Sequence, residues 1–255
     1  MARYCRFETG GMTQYGVLAG EEVEALTRAP WAGGQPISKF YALKEVRLLA
    51  PGEPSKIVCL GRNYREHAAE LGHEVPREPL IFLKPPSAII APEEAIVYPP
   101  VSQRVDYEGE LAMVIGRQCR QPRTQEDALA YVFGYTCLND VTARDIQQAE
   151  GRFTRAKGFD TFCPLGPVIA TGLDPTKLTV ETYVNSEQRQ QGRAREMIFS
   201  LDAIIRFVSS VMTLLPGDII ATGTPAGVGP LKIGDVVEVV IEGIGRLRNR
   251  VVAAP

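Results

Sequence analysis

Asp106-Tyr-Glu-Gly-Glu-Leu-Ala-Met-Val-Ile115 changes character half-way along. From Val105 the chain alternates polar and apolar residues, then from Leu111 it is apolar without a break. That pattern predicts a strand that runs into a sheet buried on both faces. Other short strands are expected on either side of it, at Lys56–Leu60, Leu80–Leu83 and Val132–Leu138. Further strands separated by glycine turns follow at Ile219–Ala221, Val236–Ile241 and Arg246–Val252. Helical patterns are fewer: Tyr64–Leu71, ended by Gly72, and Glu126–Val132. The most regular spans Leu201–Leu215, with Leu201, Ile204, Ile205, Val208, Val211, Met212 and Leu215 on one face and Ser200 as the N-cap. The expected class is therefore α+β and rich in β.

The first fifty residues read differently. Arg3–Phe7, Gln14–Leu18 and Glu22–Leu26 alternate between Gly-rich turns at Gly10-Gly11 and Gly20, which predicts a small antiparallel unit. Pro51-Gly-Glu-Pro-Ser55 is a turn and a plausible boundary, so residues 1–52 are expected to form an N-terminal β unit and residues 53–255 the main domain.

At 255 residues the chain is long enough to bury a sizeable core without staples. Lys plus Arg number 28 and Asp plus Glu 30, a net charge of -2, so no basic excess exists to make a nucleic acid the main partner. The five cysteines are odd in number and form no C-x-x-C pair, which suggests neither a disulfide framework nor a zinc knuckle; Cys59, Cys137 and Cys163 read as core residues. No segment resembles a signal peptide or a membrane span, and a soluble cytoplasmic protein is expected.

Three carboxylates carry the first chemical signal. On a strand Glu108 and Glu110 share a face, with Cα atoms roughly 6.6 Å apart. Set beside an apolar run, two such groups repel and are costly to desolvate, and a divalent cation relieves both problems. An oxygen-only set favours Mg²⁺, Mn²⁺ or Ca²⁺ over zinc. The same E-x-E also suits an exposed acidic strand face. Asp140 follows an apolar strand, at a strand end where site residues gather, and spacing alone does not link it to the glutamates.

His67 and Glu70 are three apart on a short helix, hence on one face. A carboxylate orients an imidazole for general-base work, although a surface His–Glu pair has the same spacing. His73 reads as a solvated loop residue. Lys157 suits a carboxylate. Thr222-Gly-Thr-Pro-Ala-Gly-Val-Gly229 is a loop whose N–H groups suit an anion, without the ending of a nucleotide P-loop.

In order along the chain, six stretches resemble the fumarylacetoacetate hydrolase superfamily. They are Gly61-Arg-Asn-Tyr-Arg-Glu-His-Ala-Ala-Glu70, Phe82-Leu-Lys-Pro-Pro-Ser87, Asp106-Tyr-Glu-Gly-Glu-Leu-Ala112, Asn139-Asp-Val-Thr-Ala-Arg-Asp-Ile-Gln147, Lys157-Gly-Phe-Asp-Thr161 and Thr222–Gly229. The resemblance implies a mixed β-roll and a homodimer. It implies that Glu108, Glu110 and Asp140 bind Mg²⁺ or Mn²⁺, that His67 and Glu70 form a catalytic dyad with Lys157 beside them, and that Arg144, Gln147 and Thr224 hold the substrate. Arg62, Arg65 or Lys84 would supply a cation for a second carboxylate.

The implied activity is metal-dependent C–C cleavage in 2-oxo acids through a stabilised enolate, as acylpyruvate hydrolysis or oxaloacetate decarboxylation. The enzyme alternatives are 2-hydroxyhepta-2,4-diene-1,7-dioate isomerase, the associated tricarboxylate decarboxylase and oxaloacetate keto–enol tautomerase. The non-enzyme alternative is a calcium-stabilised structural protein, for which no EF-hand loop exists.

Overall fold

In the computed structural model, residues 1–72 and 74–255 are described, apart from the side chains of Gln125 and Glu126; His73 lies outside the described residues. The Gly109–Ile115 strand sits well inside a 12-stranded mixed sheet. It pairs antiparallel with Val132–Asn139 on one side and Ile219–Ala221 on the other. All seven of its residues are buried because each face meets a separate core. Leu111, Met113 and Ile115 pack with Val58, Leu60 and Ile204, whereas Ala112 and Val114 pack with Ile57, Leu138 and Leu165.

The expected single strand from Val105 is in fact two. Val105–Tyr107 belongs to a three-stranded sheet with Thr142–Ala143 and Gly229–Leu231, and the chain crosses to the large sheet at Glu108. Asn139 fixes the crossing, its Oδ1 accepting from the Glu108 amide at 2.9 Å. A third, five-stranded sheet contains Thr179–Val184, Glu187–Arg193 and Val236–Ile241.

The N-terminal strands Ala2–Thr9, Met12–Ala19 and Glu22–Leu26 form the expected meander. They also extend the large sheet, since Ala2 to Tyr4 pair with Thr171 to Ile169. All five cysteines are buried and free.

Helix ends account for the other corrections. The expected Leu201–Leu215 helix stops at Val211. Met212 turns extended, and Leu214 exchanges both backbone hydrogen bonds with Cys119, so bridge pairing replaces the last helical turn. Val211 and Leu215, read as core, are exposed. The Ser200 hydroxyl donates to Asp202 Oδ1 at 2.6 Å and caps no backbone amide. The helix read at Glu126–Val132 spans Gln125–Leu129, because Val132 already belongs to the next strand.

Candidate active site

Two backbone registers bring the acidic residues together. Asp140 follows directly on the Val132–Asn139 strand, whose Asn139 pairs with Gly109, and the Asp140 amide donates to the Glu108 carbonyl at 2.8 Å. Glu108, Glu110 and Asp140 each offer an oxygen within 4.8 Å of the others, and all three are buried. Gly109, between the glutamates, has a steric reason: a Cβ there would lie 2.0 Å from Thr182 Oγ1.

Thr222-Gly-Thr224 is a strap laid along this strand. Thr222 Oγ1 donates to the Leu111 carbonyl and Thr224 Oγ1 to the Gly109 carbonyl, both at 2.8 Å, while the Gly223 amide donates to Glu110 Oε2 at 2.7 Å. Gly223 has φ +97° and packs on Asn63, so glycine is needed there. The loop read as an anion cradle does bind anions, and they are the protein's own: Glu110 through Gly223, and Glu70 through the Gly227 amide at 3.1 Å.

Two buried ammonium groups balance the carboxylates. Lys157 Nζ touches Glu108 Oε2 at 2.9 Å, Asp140 Oδ2 at 2.5 Å and Thr142 Oγ1 at 2.8 Å. Lys84 Nζ donates to Asp140 Oδ1 at 2.6 Å and to the Val141 carbonyl at 3.2 Å. Lys84 is 1% exposed, so the expectation that it meets a substrate carboxylate is corrected: its charge is taken up by Asp140. Arg65 is exposed and does not line the cavity. Arg144 bonds Asp106 Oδ2 through Nε at 2.8 Å, Gln147 Oε1 through Nη1 at 2.5 Å and Glu108 through Nη2.

The electrostatics separate the two glutamates. Burial pushes the Glu108 carboxyl up, but Lys157 and Arg144 outweigh it and hold it below the usual range. Glu110 lies well above that range, because burial and then the charges of Asp140 and Glu108 all oppose its ionisation. Among the described residues no lysine or arginine pairs with Glu110; the Gly223 amide is its one hydrogen-bond donor. A buried, oxygen-only cluster with one uncompensated carboxylate has the chemistry of a site for a hard divalent cation.

A cavity of about 300 Å³ reaches this cluster through Glu108 and is lined also by Lys157, Arg144, Gln147, His67 and Thr224, with Arg62 at its wall. His67 comes from the Arg65–Glu70 helix, is 4% exposed, and faces Glu70 Oε2 through Nδ1 at 3.4 Å. Burial lowers its pKa below the ordinary 6.5, so the ring is neutral at neutral pH. The Thr224 hydroxyl already donates to Gly109 and accepts from Gln190 Nε2 at 2.8 Å. Arg62 holds a left-handed backbone, φ 60°, rare for a side-chain-bearing residue and a feature that clusters at functional sites. Sequence reading missed Asn63, Asn139 and Gln190, which anchor the loops around the site through backbone bonds.

The model for the fumarylacetoacetate hydrolase C-terminal domain matches residues 56–252, and one described as Rv2993c-like, N-terminal, matches residues 2–51. The chain belongs to the fumarylacetoacetate hydrolase family. Oxaloacetate tautomerase YisK of Bacillus subtilis is 45% identical to this family member over 229 residues, covering 84% of this chain and 76% of that protein. The crystal structure of 2-hydroxyhepta-2,4-diene-1,7-dioate isomerase from Mycobacterium marinum superposes with a TM-score of 0.92 at 43% identity, covering 99% of both chains. Maleylpyruvate hydrolase from Sphingobium sp. SYK-6, solved with manganese(II) and pyruvate, superposes at 0.82 and 35% identity, covering 99% of this chain and 100% of its own. The fumarylacetoacetate hydrolase fold is thus the strand-rich mixed architecture described above. Among the described residues no helix is long and apolar enough to cross a membrane.

Proposed function

We propose that this chain is a divalent-metal-dependent enzyme that acts on small 2-oxo acids through their enolates, with keto–enol interconversion of oxaloacetate as its leading reaction. One observation carries the reading: a buried imidazole, His67, shares a cavity wall with Lys157 and Glu108. Glu108, Glu110 and Asp140 would hold Mg²⁺ or Mn²⁺, which when bound supplies Lewis acidity toward a substrate's carboxylate and keto oxygens.

The chain's own groups account for the rest. His67 Nδ1 faces Glu70, which leaves Nε2 as the free base. It takes a proton from C3; the C–H electron pair becomes the C2=C3 bond, and the former carbonyl pair moves onto oxygen. Lys157 and Arg144 add positive charge beside that oxygen in a cavity of low dielectric. Return of the proton to oxygen gives the enol, and its return to C3 gives the ketone. Gln147 and Thr224 contribute contacts to the substrate's oxygens, and Arg62 a cation for the second carboxylate. The name borne by the Bacillus subtilis relative supports oxaloacetate as the substrate.

Acylpyruvate hydrolysis is the second reading, supported by the maleylpyruvate hydrolase of the same fold. There His67 takes its proton from water, whose oxygen bonds to the distal carbonyl carbon. The bond from that carbon to C3 breaks, C3 gains the proton, and pyruvate and a carboxylic acid leave. Loss of CO₂ from oxaloacetate, in which the C3–C4 electron pair becomes the C2=C3 bond, would give the enolate of pyruvate, which takes a proton at C3. Following oxaloacetate enol absorbance and pyruvate release from acetylpyruvate, with Mg²⁺ and with chelator, tests both readings. No Mg²⁺-dependent change on either substrate would refute the proposal. A homodimer is expected, with size-exclusion light scattering as its check.

A further inference from the structure

One wall of the cavity is aromatic and has no part in the chemistry above. Phe82 stands on the Leu80–Lys84 strand at the edge of the large sheet, and Phe153 precedes the Thr154–Lys157 helix. Their rings stack with centroids 4.7 Å apart and planes at 27°. The Phe82 ring also lies under the Lys157 ammonium, 5.0 Å from Nζ, and that nitrogen touches Glu108 and Asp140. Contact therefore passes from the carboxylates to the ammonium, to the first ring, and on to the second.

Both rings are half-buried and line the cavity with Leu60 and Leu71. At about 30 Å³ per water, 300 Å³ holds roughly ten waters, more room than a three-carbon oxo acid fills. Apolar lining with a few placed polar groups is how a pocket sets both grip and orientation. Here Glu108, Lys157 and Arg144 stand together at the carboxylate end, and the aromatic surface begins one ammonium away.

We propose that Phe82 and Phe153 form a specificity wall for the substrate arm beyond C3, and that the site prefers 2-oxo acids with a flat apolar arm, aryl or conjugated acyl, over those with a methyl arm. This rests on the enolate reading. The rings leave the proton chemistry to His67 and act on KM, because stacking against an arm is the same before and during reaction.

Acetylpyruvate and benzoylpyruvate differ only in that arm. With the Mg²⁺-loaded full chain, loss of enol absorbance and release of pyruvate are followed together, so either fate of the substrate is counted. Hydrolysis of benzoylpyruvate consumes one water and yields benzoate and pyruvate. The expected result is a kcat/KM for benzoylpyruvate at least about tenfold higher, carried by KM, which is within what apolar pockets discriminate. Phe153→Ala should shrink that ratio about tenfold, and Phe153→Leu, which keeps apolar bulk, should shrink it less. A retained Mg²⁺-induced melting shift shows that each variant is folded. Turnover of acetylpyruvate with equal or poorer turnover of benzoylpyruvate overturns the wall and leaves the enolate reading standing, as does a ratio that Phe153→Ala does not move. Turnover of oxaloacetate with silence on both acylpyruvates also overturns the wall and leaves the enolate reading standing, whereas silence on all three substrates overturns both.

Discussion

The Asp140 amide donates to the Glu108 carbonyl at 2.8 Å, so two of the three clustered carboxylates are joined by main chain before any side chain takes part. The cluster is thereby built into the sheet and does not depend on a bound ion to assemble. Its third member is the one left without a cation.

Glu110 is accordingly a liability when no divalent ion is present. A carboxyl whose folded-state value is raised destabilises the fold as pH climbs above its ordinary 4.5, and the destabilisation is absent at lower pH. Glu110→Gln removes the ionisable group and with it that penalty, so in chelator at pH 7 the variant should melt higher than the parent, and Mg²⁺ should raise its melting temperature much less. A variant that melts lower in chelator, or keeps the full Mg²⁺ shift, contradicts the assignment.

His67→Gln should lower kcat by about 10²–10⁴-fold, the usual worth of a positioned acid–base group. The Mg²⁺ midpoint, read from melting curves, should stay within about twofold because His67 is not in the carboxylate cluster. An unaltered kcat would show that another group moves the proton.

The pH profile gives an independent reading of the same residue. Burial depresses the His67 value, so the neutral base persists below pH 6.5, and the acid limb of kcat/KM should fall with a midpoint below that figure. The stability sign agrees. Between the lowered value and 6.5 the unfolded chain binds the extra proton, so this group's contribution is lost as pH falls through that window. A limb centred above 6.5 is incompatible with a buried, neutral imidazole as the base.

Gly109→Ala tests why a glycine separates the two glutamates. The added methyl would meet Thr182 Oγ1 at 2.0 Å, an overpacking expected to cost about 1–3 kcal/mol. Among the described residues Thr182 Oγ1 has no hydrogen-bond partner, so Thr182→Ala should itself be cheap and should recover part of the loss in the double variant. Denaturant midpoints of the four proteins decide it, and additive losses would place the strain elsewhere.

What the sequence made legible was local in kind. The i, i+3 pairing of His67 and Glu70 and the run from Leu111 to Ile115 each follow from the period of one element. What stayed hidden depends on distant pairing. Lys84 reads as a free cation until the Leu80–Lys84 strand sets it against Asp140, 56 residues away. Gln190 lies in no motif, yet it donates to Thr224 and accepts from the Gly109 amide across the sheets. The break at Glu108 was also illegible, because both halves are strand and only their partners differ. Likewise the last turn promised to the long helix was lost to a bridge with Cys119, far along the chain.

The strap from Thr222 to Gly227 grips Glu110 near one end and Glu70 at the other. Four peptide units between Gly223 and Gly227 therefore act as a ruler, setting how far the acid cluster stands from Glu70 and from the His67 ring that faces it. A residue inserted or deleted within the strap would leave every catalytic group in the sequence and put the two halves of the site out of step.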